Sequence, residues 1–289
     1  MQVPANILSL KKRVVAEIGD DLARHAPESS CLLLDSTGPS FTRQYIVLNA
    51  IGMERLARFG EIHAFSGSVY ALFGFMAFAT GRNKVSIESL CHEEAETVFR
   101  NQHHVGRFSG LRSIGKLMTG RPAFGTVDPL IASLEYMFGD FVDQPFSSFG
   151  SNIHVYLAQS KNAPLLVLSN NERCSPELEA LRALPVKHII AMAANVPIVY
   201  GGSRAGTPYF DPVYTSHYVP TLKQITATER HTLISTPWRS GEKDNRRYLN
   251  CYPSGNARWL MLKDFARLVS GQRNVSWSRD IYTAFKVAA

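Results

Sequence analysis

The chain has 289 residues, 45% hydrophobic and 19% charged, with a formal net charge of +7. This composition excludes a disordered or collagen-like chain and leaves ample apolar material for a core. The basic residues are dispersed, as on a generally basic solvated surface. Contact with an anionic membrane is compatible with that charge, and no nucleic-acid partner is expected.

In chain order, Ile7, Leu8, Val14, Val15, Ile18 and Leu22 mark one face of an amphipathic helix within residues 1–29. Lys11, Lys12 and Arg13 interrupt its apolar residues, unlike a secretory signal. The longest apolar stretch, 69–80, falls short of a membrane span, so a cytoplasmic chain is expected. Residues 31–34 read as a buried strand, broken at Asp35-Ser-Thr-Gly-Pro39. A helix is expected over 41–59, with Ile46, Val47, Ala50, Ile51 and Leu56 on its apolar side. A second strand, 62–65, meets a turn at Ser66 and Gly67 and then a helix that closes at Gly81. Strand, helix and strand form a βαβ unit of a parallel sheet. Residues 83–149 read as short helices packing as a cap. Strands over 153–157 and 165–168 and a helix over 188–194 follow. Beyond Thr226 a less regular extension, 226–289, is expected to end in helices over 257–269 and 279–287.

The four cysteines, Cys31, Cys91, Cys174 and Cys251, are widely separated and lack CxxC spacing. They read as small buried residues in a reducing compartment rather than as a disulfide framework or zinc site. Gly110 to Lys116 has phosphate-loop spacing, but Leu117 stands where magnesium needs Ser or Thr. His92-Glu93-Glu94-Ala95-Glu96 lacks the second histidine of a zinc-protease helix, and adjacent His103 and His104 point apart on a helix. Arg239, Lys243, Arg246 and Arg247 form the densest basic stretch, read as a solvated loop. Neither metal nor organic cofactor is expected.

The chemistry concentrates where strand turns into helix. Such a turn exposes a hydroxyl at the positive end of a helix, suited to attack on an acyl carbon. Phe65-Ser-Gly-Ser-Val-Tyr-Ala-Leu72 has that layout, with Ser68 as the candidate nucleophile. Upstream, Leu32-Leu-Leu-Asp-Ser-Thr-Gly-Pro39 runs from a strand into a small-residue loop. Downstream, Ala191-Met-Ala-Ala-Asn-Val-Pro197 precedes Thr207-Pro-Tyr-Phe-Asp-Pro-Val-Tyr214. In this order the three segments resemble the patatin-like phospholipases, serine acyl hydrolases with a Ser-Asp dyad. The resemblance covers about residues 30–225.

It implies an α/β fold, a three-layer sandwich with a mostly parallel central sheet, acting on a lipid or related acyl ester. It implies Ser68 as nucleophile, Asp211 as base and an oxyanion hole from Ser36, Thr37 and Gly38. Tyr70 and Phe73, on the aromatic helix after the turn, would line an acyl pocket. The glycine motifs depart from the family's. Ser36-Thr37-Gly38-Pro39-Ser40-Phe41 keeps one glycine, and Asp211 is followed by Pro212. With Ser68 as nucleophile, Ser66 and Tyr70 occupy the flanking glycine positions of Gly-x-Ser-x-Gly. The alternative is a patatin-fold binding or scaffold protein without activity.

Overall fold

A computed structural model describes residues 3–90, 116, 118–119, 121, 126–171, 175–197, 199–200, 208–252, 263 and 276–288. The motif segments at 92–96, 103–104 and 110–115, helix 257–269, Cys91 and Cys174 lie outside them, apart from Lys263.

The architecture is α/β around one mixed, mostly parallel sheet. Its strands are β1 (Ser30–Leu34), β2 (Glu61–Ala64), β3 (Ile153–Leu157), β4 (Leu166–Ser169), β5 (His231–Thr236), β6 (Gly241–Lys243) and β7 (Arg246–Asn250). They lie in the order β4-β3-β2-β1-β5-β7-β6. β1 pairs in parallel with β2 and β5, β2 with β3, and β5 with β7; only the edge strands β4 and β6 run antiparallel. Every residue of β1 is buried, as expected for an apolar run covered on both faces.

Helices α1 (Ala5–Arg24), α2 (Gln44–Ile51), α3 (Met53–Arg58) and α4 (Gly67–Ala79) follow in the first part of the chain. The helix expected over 41–59 is broken. A 3-10 segment, Gly38–Arg43, precedes α2, and Gly52 at φ 82° separates α2 from α3. That backbone region favours glycine. Further along are α5 (Asp128–Phe138), α6 (Pro176–Arg182), α7 (Val186–Ala193), α8 (Tyr218–Thr226) and α9 (Ser276–Lys286). No helix among the described residues is long and apolar enough to cross a membrane.

One sheet face carries the main core, into which α1, α2, α4, α5, α7 and α9 send buried side chains. The other carries a smaller cluster of Leu33, Phe65, Tyr156, Tyr218, Ile234 and Tyr248. The described parts of 83–149 join the main core through Leu90, Leu130, Leu134 and Phe138.

The segment expected to be an extension supplies central strands instead. β5 lies directly against β1, and β7 against β5, so the sheet crosses the boundary placed at 225. Three residues of the basic stretch belong to strands, and Arg239 lies in the connection before them. Lys243 ends β6, Arg246 and Arg247 begin β7, and Arg247 pairs with Glu242 and Glu17. At the C-terminal end, α9 is anchored by residues far away in sequence. Lys11 Nζ donates to the carbonyls of Thr283, Ala284 and Val287 at 2.7, 3.1 and 2.6 Å, and Thr42 Oγ1 donates to Asp280 at 2.9 Å. A lysine donating to the final carbonyls satisfies acceptors that the helix itself leaves open.

β1 continues through α2 and α3 to β2 on one side, whereas its other neighbour, β5, arrives more than 160 residues later in order of chain. The loops leaving β1 and β5 therefore diverge. In open α/β sheets such a reversal opens a crevice beyond the carboxyl ends of the strands.

Candidate active site

Four chain segments meet at that end: the loop after β1, the turn after β2, the chain around Asp211 and the end of β5. The turn after β2 is sharp. Ser66, at φ 54° and ψ −132°, is one of two non-glycine residues with positive φ among those described. Holding a serine there costs on the order of 1–3 kcal/mol, and such strain concentrates at functional sites. It puts Ser66 at the apex between strand and helix, with its hydroxyl donating directly to Asp211 Oδ2.

The hydroxyl that meets Asp211 is thus that of Ser66, not of Ser68. Ser68 is fully buried in the first turn of α4. Its Oγ donates to the Asp35 carbonyl at 2.5 Å and accepts from Gln44 Nε2 at 3.2 Å. Gln44 Oε1 in turn accepts from Ser235 Oγ at 2.5 Å. With its proton committed to a main-chain carbonyl, Ser68 fastens α4 to the loop after β1. With Ser66 at the apex, Ala64 and Ser68 stand at the flanking positions of Gly-x-Ser-x-Gly; both are small, but neither is glycine.

Asp211 is delivered from another part of the sheet. Phe210 forms an antiparallel bridge with Ala158, just past β3, with N–H to O distances of 2.8 and 3.0 Å. The Asp211 N–H donates to the Asn195 carbonyl at 3.0 Å, and Asn195 Nδ2 donates to the Tyr209 carbonyl at 2.9 Å. Asn195 lies just beyond α7, which couples the small-residue helix to the carboxylate. Asp211 Oδ1 accepts the Val213 N–H at 3.0 Å, capping the 3-10 turn Pro212–Tyr214. Burial pushes the Asp211 carboxyl up to about 7, opposed by the hydrogen bonds from Ser66 and Val213. A base poised there is half ionised near neutrality, the range suited to general-base work.

The proposed oxyanion residues divide. The Ser36 N–H is already engaged, donating to Asp35 Oδ1 at 2.8 Å, which removes it as an oxyanion donor. Asp35 also accepts from the Tyr218 hydroxyl and from Thr236 Oγ1 at 2.7 Å. Burial raises its carboxyl pKa against these bonds. Thr37 is fully buried, and its Oγ1 has no hydrogen-bond partner among the described residues. Gly38, at φ 52°, lies against Gly67 so closely that a Cβ on Gly67 would meet the Gly38 carbonyl oxygen at 2.6 Å. Gly67 opens α4, so its N–H has no acceptor within the helix. It was not among the residues picked from sequence.

A small apolar cavity, with about 30 Å³ of free space, lies beside α4. Phe41 and Tyr70, with ring centroids 4.3 Å apart, form part of its wall; Phe138, Met137, Trp277 and Ile281 contribute more. Phe41 Cβ would be 3.2 Å from a Cβ on Gly67, so this wall abuts the residue after Ser66. Tyr70 therefore lines this cavity. Phe73 does not: it is fully buried, packed edge-on against Phe146 and Phe149.

No protein-family model, curated protein or solved structure matches the chain.

Proposed function

We propose that the protein is a serine acyl hydrolase or acyltransferase of patatin-like three-layer design, acting on a lipid or related acyl ester. The hydrogen bond from the strained Ser66 to the buried Asp211 carries this reading. In it, Ser66 Oγ attacks the ester carbonyl carbon while its proton passes to Asp211. The C–O bond to the leaving alcohol then breaks, that oxygen takes the proton from Asp211, and an acyl group remains on Ser66. Water or another acceptor then attacks the acyl carbon as its proton passes to Asp211, the acyl–Oγ bond breaks, and Ser66 Oγ takes that proton back from Asp211. In this reading the N–H of Gly67, which opens α4, donates to the developing oxyanion, aided by the helix N-terminus, with the Thr37 and Gly38 N–H groups as the further candidate donors. The apolar Phe41–Tyr70 cavity marks where an acyl chain would enter, and its aromatic walls must part to admit more than the first carbons.

A lipid substrate also agrees with the rim. Val213 and Tyr214 follow Asp211, Val219 follows Tyr218, and Trp238 comes two residues after Thr236; all four are exposed. Exposed large apolar side chains close in sequence to these residues, on a basic protein, suit contact with an anionic lipid surface.

Labelling with a fluorophosphonate, read by intact mass, tests the reading. One adduct on wild type and Ser68→Ala, absent from Ser66→Ala and sharply reduced in Asp211→Asn, is expected. Folded wild type that takes no label in the presence of lipid vesicles would sink it and leave a binding protein.

A further inference from the structure

The amino ends of the same strands hold a second group of chemically capable side chains. Cys31 opens onto β2 in register with Glu61, and Leu33 with His63, so Cys31, Glu61 and His63 share one sheet face. Each offers one ligand atom, and the three atoms lie within 4.8 Å of one another. We propose that Cys31 Sγ, Glu61 Oε2 and His63 Nε2 bind one divalent transition-metal ion of the zinc class.

Neighbours orient two of these donors, the His63 imidazole and the Glu61 carboxylate, while the Cys31 thiol is buried beside them. His63 Nδ1 lies 2.7 Å from the Tyr156 hydroxyl, which fixes the ring and leaves Nε2 turned toward Glu61 Oε2 at 3.2 Å. A second hydrogen bond of this kind on the far nitrogen is what orients a metal-binding imidazole. Arg230 Nη1 holds the other carboxylate oxygen, Glu61 Oε1, at 3.0 Å, leaving Oε2 toward the ring. Thiolate, imidazole and carboxylate together form a donor set that suits zinc. In a tetrahedral site with bonds of about 2.0–2.3 Å, ligand atoms stand roughly 3.3–3.8 Å apart. Side-chain rotation of about an ångström closes the present spacing. The thiol proton leaves to solvent as the S–metal bond forms. Glu61 keeps about a third of its side-chain surface in water, so an ion has a path in, and the fourth position remains for water.

A second trio, Asp21, His25 and His231, is equally close but less suited. Its two imidazoles stack at 3.6 Å with an 8° interplanar angle, and one ion cannot lie in the planes of both rings. His154 is likewise stacked on His63, at 4.7 Å, and is not assigned as a ligand.

The test is titration of the chelator-stripped, reduced full chain with Co²⁺, then displacement by Zn²⁺. The expected result is one equivalent bound, with a near-ultraviolet thiolate-to-cobalt absorption that Zn²⁺ removes. Cys31→Ser should abolish that absorption, and His63→Ala and Glu61→Gln should each weaken binding at least tenfold. Tyr156→Phe, which keeps every ligand, should weaken it measurably and serves if His63→Ala fails to fold. Absence of the thiolate band in wild type, or its persistence in Cys31→Ser, overturns the site.

Discussion

The two ends of the central sheet are built from the same strands but solve different problems. At the carboxyl ends, Asp35, Ser66, Ser68, Gln44 and Asp211 are almost wholly buried and bound to one another or to backbone. At the amino ends, Glu61 keeps a third of its side-chain surface in water and is held by Arg230 and His63. Removing a hydrogen bond from the first set leaves a buried polar atom stranded, which costs about 1–3 kcal/mol. Removing an exposed ion pair from the second allows water to replace it, at about 0–1 kcal/mol. The enclosed end can shift a carboxyl pKa and hold a strained serine. The open end can admit an ion.

The largest effect separates two serines at the enclosed end. Ser66→Ala should lower esterase turnover by at least about 10³-fold, whereas Ser68→Ala should stay within about tenfold and lose about 1–3 kcal/mol in denaturant unfolding. Equal loss in both would collapse the distinction between nucleophile and fastening residue. Next comes Gly67→Ala, whose Cβ would strike the Gly38 carbonyl oxygen. Displacing that loop should reduce kcat by about 10²–10³, the usual cost of one oxyanion donor, with KM little changed.

The pH response is the third contrast. In the proposed dyad Asp211 must be ionised to accept the Ser66 proton, so kcat/KM should fall as pH drops through about 7. Its folded pKa lies above its unfolded value of 3.8, so the native state binds the proton more tightly. The stability this contributes is complete below about pH 4 and is lost as pH rises through about 7. Asp211→Asn should therefore unfold later than wild type at pH 8, by about 1–3 kcal/mol, with the gain vanishing toward pH 4. Stability curves in urea at the two pH values measure it, and a gain independent of pH would contradict the buried carboxylate.

The smallest effects belong to the open end. Tyr156→Phe removes the buried partner of His63 and should cost about 1 kcal/mol in unfolding free energy. Arg230→Ala breaks an exposed pair with Glu61 and should cost no more than about 0.5 kcal/mol, less in high salt. A larger loss for Arg230→Ala than for Tyr156→Phe would reverse the ordering that burial imposes.

Much of the fold was legible where local pattern and burial agree. Strands at 31–34, 62–65 and 153–157 appear within a residue or so of their expected places because apolar runs bounded by turn residues suit central parallel strands. β5 and β7 were missed. His231-Thr-Leu-Ile-Ser-Thr236 mixes polar and apolar residues, and Arg246-Arg-Tyr-Leu-Asn250 begins with charges, so neither reads as a buried run. They are strands because β1 offers a free edge for β5 and β5 another for β7. β-propensity is strongly conditioned by such neighbours. The single helix expected over 41–59 failed at Gly52, where positive φ outweighed an apolar pattern that continued on either side.

The sequence by itself determined that a serine-bearing turn joins a strand to an apolar helix, and that Asp211 lies in a turn far downstream. Those are local properties of apolar runs, glycine and proline. Which hydroxyl reaches that carboxylate was decided only by tertiary structure. Ser66 and Ser68 flank the same glycine, and their partners, Asp211 and the Asp35 carbonyl, are 145 and 33 residues away. Two positions along a strand-to-helix turn reverse the direction of a side chain, and the choice between them rests on what folds against each.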